Sequence, residues 1–62
     1  MTGPELRAAR ETLGLTQARL AAILDVAPEH VSRMQTGAKP ITAQTALVVR
    51  AMLAFGLPDG WP

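Results

Sequence analysis

The chain has no cysteine and a single histidine in 62 residues. Disulfides and thiolate-metal sites are thereby excluded, and one imidazole cannot build a zinc cage, so no metal is expected. There is no run approaching the roughly 20 apolar residues that span a bilayer, and the N-terminus lacks a charged-then-apolar signal pattern. A cytoplasmic protein with no membrane partner is expected. Nor is there an excess of charge of one sign. Six Arg/Lys stand against five Asp/Glu, a net charge of +1, so the chain is not a polycation that coats nucleic acid indiscriminately. Catalytic equipment is missing as well. Without a clustered nucleophile and base, a glycine-rich phosphate loop or room for a sizeable pocket, no enzyme activity, catalytic residue, cofactor or small-molecule ligand is expected. A single domain this small buries only about 60% of its unfolded surface, which leaves oligomerisation as the remaining source of extra stability.

What is present is regular helix punctuation. Thr2-Gly3-Pro4-Glu5 is a capping-box pattern with a proline in the first turn, and predicts a first helix from there to about Leu13, ended by Gly14. Leu6, Ala9 and Leu13 form its buried stripe, with Arg7, Arg10 and Glu11 outside it. Thr16 predicts a second helix over Gln17 to about Leu24, with Asp25 in a turn where positive φ is convenient. Pro28 suits the start of a third helix, although Ala27 before it is a weak cap, and Gly37 stops that helix. Ala38-Lys39-Pro40 then connects to Ile41-Thr42, a staple and cap for a fourth helix over about Ala43 to Phe55, which Gly56-Leu57-Pro58 ends.

Residues 17–36 therefore read as two short helices joined by a tight turn. Small Ala21, the bend at Asp25 and Val26, and apolar Val31 stand where a helix-turn-helix needs a close contact, a turn and a packing residue. The outward positions Glu29, His30, Ser32 and Arg33 are all polar, as a helix that reads base edges by hydrogen bonds requires. Gln17 stands at a helix start, where amide groups and the dipole suit a phosphate oxygen. It is otherwise an ordinary polar first-turn residue. Lys39 is free to reach a phosphate. The fourth helix is the oddity, because Ala46 to Phe55 is apolar except at Arg50. That is a wider stripe than a four-helix monomer buries. A homodimer is expected, formed by the helix and tail of residues 43–62 through Val48, Val49, Met52, Phe55, Leu57 and Trp61. The alternative is that the tail folds back and Trp61 covers the helix within one chain.

Leu15-Thr16-Gln17 with Leu20-Ala21, then Val26, Val31-Ser32-Arg33 and Gly37, resemble the phage-repressor, or Xre/Cro-like, helix-turn-helix family over about residues 4 to 55. The resemblance implies one all-α domain over residues 1–62, a compact lambda-repressor-like bundle of four or five helices, usually dimeric, whose third helix enters the major groove. It implies base contacts from Glu29, His30 and Arg33, and backbone contacts from Gln17, Arg10, Ser32 and Lys39. Arg33 suits bidentate bonding to guanine, with a phosphate clamp or surface ion pair as its alternative. Glu29 helps only if it accepts from cytosine N4, and otherwise favours the helix N-terminus. The chain departs from the family pattern at Asp25, Ala27, Met34 and Gln35. The last removes an ion pair with Arg10, which then bonds Gln35 neutrally or turns to a phosphate.

The expected function is a sequence-specific transcriptional regulator, most simply a homodimeric autorepressor on a palindromic duplex-DNA operator, nucleoid-associated when bound. The resemblance leaves phage, mobile-element, toxin–antitoxin and anti-CRISPR operons open, with a plain autorepressor ranked above an antitoxin because the six residues after Gly56 offer little of a toxin-neutralising segment. A protein-interaction module that kept the fold and lost DNA binding is the alternative.

Overall fold

Three threonines start three of the four helices. Thr2, Thr16 and Thr42 each hold an extended backbone, and each hydroxyl oxygen accepts the main-chain N–H three residues on, from Glu5 at 3.2 Å, Arg19 at 3.1 Å and Thr45 at 3.1 Å. Such caps satisfy donors that the first turn leaves unpaired, about 1 kcal/mol each. At Thr2 the box closes, since its own N–H donates to Glu5 Oε1 at 2.8 Å. That bond, and after it the Thr2 hydroxyl beside the carboxyl, hold the Glu5 carboxyl below its ordinary pKa.

The computed structural model describes residues 1–58. It has α1 at Gly3–Thr12, α2 at Gln17–Leu24, α3 at Pro28–Thr36 and α4 at Ala43–Phe55, with no strand among the described residues. The predicted starts all hold. The one shift is at the end of α1, where Leu13 becomes the cap although its N–H still reaches Ala9 O at 3.0 Å. A fifth helix does not occur among the described residues. The all-α architecture is that of a small lambda-repressor-like domain with a central helix-turn-helix. None of its described helices is long and apolar enough to cross a membrane.

α1 and α2 end in the same way. Gly14 (φ +70°) turns left-handed, its N–H bonds Glu11 O at 3.0 Å, and Leu15 N–H bonds Arg10 O at 3.1 Å. Asp25 (φ +58°) repeats this, with its N–H on Ala22 O at 3.2 Å and Val26 N–H on Ala21 O at 2.9 Å. This is the Schellman arrangement, in which the residue after the left-handed one turns inward. Leu15 is accordingly buried and Val26 packs on the core. At Asp25, however, the left-handed backbone is held by a residue with a Cβ, which carries a steric cost that glycine avoids. Asp25→Gly is therefore expected to stabilise the domain by about 0.5–1 kcal/mol, raising the melting temperature by a few degrees. A thermal melt followed by circular dichroism checks this, and a lower melting temperature would refute it.

The core forms where α3 lies against α1 and α2 and α4 packs on α1. Leu6 and Ala9 of α1, Leu15, Leu20 and Ala21 of α2 and its approach, Val31 and Met34 of α3, and Val49 and Met52 of α4 make one buried cluster. Leu6, Leu20, Val31 and Val49 are the largest fully enclosed side chains, each contributing about 1.5–3 kcal/mol by leaving water. Small Ala9 and Ala21 let the helices approach closely. α3 packs on both α1 and α2, and α1 carries α4 on another side. The third helix is thus fixed from behind while its other face stays open.

Candidate nucleic-acid interface

Val31 and Met34 anchor the inner side of α3, so helical spacing sends Glu29, Arg33 and Thr36 outward, with His30 and Ser32 on the two flanks. Exposure follows that order. Glu29, Arg33 and Thr36 are exposed, and His30 and Ser32 are half-buried. The outward strip carries no large apolar side chain, so it can meet a wet, hydrogen-bonding surface without exposing hydrocarbon.

The loop after α3 turns back onto the last turn. Arg33 O accepts from both Thr36 Oγ1 and Lys39 N–H, at 3.1 Å each. Those bonds fix where the Lys39 side chain begins. As a result, Ala27, Glu29, His30, Arg33 and Lys39 line one open depression. Four predicted DNA-contacting residues therefore come together, and the fourth arrives from a loop whose placement depends on a main-chain bond. Two cations face one carboxylate there, a local positive balance in a chain whose net charge is only +1.

Other predicted residues fall elsewhere. Gln17 is half-buried at the start of α2, where Thr16 takes the Arg19 N–H. The remaining first-turn N–H groups are open to an acceptor, as at any helix start. Ser32 is on the flank of α3, outside the depression. Arg10 needs correction as a backbone-contacting residue. Its Nε donates to Gln35 Oε1 at 2.9 Å and its Nη1 to Leu15 O at 2.8 Å, both partly buried. The guanidinium ties α1 to α3 and to the start of the helix-turn-helix. Gln35 keeps that strut as a neutral-acceptor bond, one of the two alternatives the sequence left open.

The predicted dimer face also changes. Val49 and Met52 lie in the core, 0% and 4% exposed, because packing on α1 draws that side of α4 inward. They offer nothing to a second chain. Val48 is half-buried and faces a groove with Ile23, Leu24 and Thr45. Phe55 and Leu57 are exposed as expected, and so are Leu47 and Leu53, which sequence reasoning missed. Trp61 lies outside the described residues. A nearly unbroken apolar helix carries no phase, so its inward side is legible only once α1 is in place.

No group of His, Asp and Glu that could hold a metal ion occurs among the described residues. The family model described as a helix-turn-helix domain matches residues 3–60, nearly the whole chain. No curated protein and no solved structure matches.

Proposed function

The chain belongs to the helix-turn-helix domain family, and from that premise we propose that it is a transcriptional regulator that reads a palindromic operator as a homodimer, most simply an autorepressor. The observation that carries this reading is the depression on α3, where Glu29, His30, Arg33 and Lys39 converge on the face that the core leaves open. In this reading Glu29, His30 and Arg33 meet base edges in the major groove. Lys39, Ser32 and the α2 start at Gln17 meet the phosphate backbone, which sets register and orientation.

The dimer rests on α4 and the residues after it. Leu47, Phe55 and Leu57 are 68%, 90% and 38% exposed, and an apolar surface of this kind on a small domain marks an interaction site. These residues, with Val48 at the edge, replace the buried Val49 and Met52 as the contact between copies. A two-fold pairing is the simplest closed arrangement, and it matches an inverted-repeat operator. Phage, mobile-element, toxin–antitoxin and anti-CRISPR operons all suit a regulator of this kind. Its place of action is the cytoplasm, on the nucleoid when bound.

Selection of bound sequences from a random duplex library, at a fixed near-physiological salt concentration, tests the reading. Salt is held fixed because phosphate binding varies steeply with it. The expected result is an enriched inverted repeat with half-sites about one helical turn apart, roughly 34–36 Å. No enrichment by folded protein would overturn it in favour of a fold retained for protein contacts through α4.

A further inference from the structure

Glu29 and Arg33 stand four residues apart on the outward face of α3 and line the same depression. That spacing ordinarily favours an ion pair, and Arg7 and Glu11 on α1 form one at 3.1 Å. Glu29 and Arg33 form none among the described residues. The two side chains leave α3 as separate charges of opposite sign. Neither has a hydrogen-bond partner among the described residues.

Resting on the DNA-reading function proposed above, we infer that this pair reads a G·C-containing step in each half-site, Arg33 bonding guanine and Glu29 bonding cytosine, with Glu29 as the discriminating member. The reason lies in the groove's chemistry. A guanidinium only donates, and guanine O6 and N7 are the pair of acceptors that it meets bidentately. An ionised carboxylate only accepts. In the major groove the donors are the cytosine N4 and adenine N6 amino groups, and every other edge atom that hydrogen-bonds repels it. Adenine N6 is flanked by acceptors on both sides, its own N7 and the paired thymine O4, whereas cytosine N4 has one on one side only, the paired guanine O6, so cytosine is the better match.

Phosphates repel Glu29 wherever α3 enters a groove, and only a correctly placed amino group offsets that repulsion. The carboxylate therefore weakens binding to most sequences more than to the right one. Lys39 and Arg33 in the same depression keep the balance positive, so the cost falls on mismatched DNA and not on binding as such. His30, half-buried on the flank, is the remaining titratable group lining the depression.

The test compares library selections for the parent protein and Glu29→Gln, with affinities measured on the selected duplex and on a scrambled duplex at one salt concentration. Glutamine keeps the length, removes the charge and both donates and accepts, so it suits adenine. The expected parent motif contains a G·C step in each half-site, with roughly 5- to 100-fold weaker binding when the cytosine is replaced. Glu29→Gln should bind scrambled DNA more tightly, and should lose or shift to adenine the preference at that one position while the rest of the motif stands. An inverted repeat whose G·C content and scrambled-DNA affinity do not change in Glu29→Gln would overturn the inference and leave the regulator reading intact. In that case Glu29 only favours the α3 N-terminus, which a lower melting temperature of the variant would register. Failure of the parent to enrich any sequence would overturn the regulator reading itself, and the inference with it.

Discussion

Gly3→Ala should cost the domain about 1–3 kcal/mol or more, although alanine is the better helix former by close to 1 kcal/mol. The sign is decided by what lies opposite. A Cβ on Gly3 would meet the carbonyl carbon of Gln35 at 2.8 Å and Met34 O at 2.9 Å, and would approach Gln35 O more closely still. All three atoms are main chain in the last turn of α3, so no rotamer change makes room. The start of α1 must instead move off α3, against the bond by which Arg10 holds the same two helices together at Gln35. A chain of this size has only a few kcal/mol of stability in total, so a drop in melting temperature of about 10 °C or more is expected. Circular dichroism on heating checks it. An equal or higher melting temperature would mean that the close approach of α1 to α3 is not required.

That contact also shows where the sequence stops being informative. The helix boundaries were legible because each rests on a local device, Thr2, Thr16 and Thr42 at starts, Pro28 inside the first turn of α3, Gly14, Gly37 and Gly56 at ends. The inward and outward sides of α3 were legible too, since apolar Val31 and Met34 alternate with polar neighbours. Gly3 was read as part of a cap, and nothing local says that the α3 backbone lies against it. The phase of α4 was hidden for a related reason. With almost every position from Ala46 to Phe55 apolar, only packing on α1 separates buried Val49 and Met52 from exposed Leu47 and Phe55. At the candidate site, the residue types came from the sequence. The convergence of Lys39 on Arg33 came from a main-chain bond across the α3 end, and the diversion of Arg10 came from two hydrogen bonds that spacing alone left as one of two choices.

Arg33→Ala is expected to lower affinity for the selected operator by roughly 5- to 100-fold, the range of one bidentate base contact, while leaving the fold intact. The side chain is exposed and makes no hydrogen bond or ion pair among the described residues. The structural role of this residue is played by its carbonyl, which accepts from Thr36 and Lys39 and which alanine retains. Alanine also favours helix at an exposed position, so the melting temperature should not fall. The informative quantity is the ratio of operator to scrambled-DNA affinity. Loss of a base contact collapses that ratio at one position, whereas loss of a phosphate contact weakens both duplexes together and lowers the salt slope by about one. Lys39→Ala should show the second pattern, since its side chain springs from the loop and not from the reading face. A uniform loss in Arg33→Ala would make Arg33 a phosphate clamp. No loss on either duplex, with the protein folded, would remove α3 from the groove and leave the exposed side of α4 as the working surface.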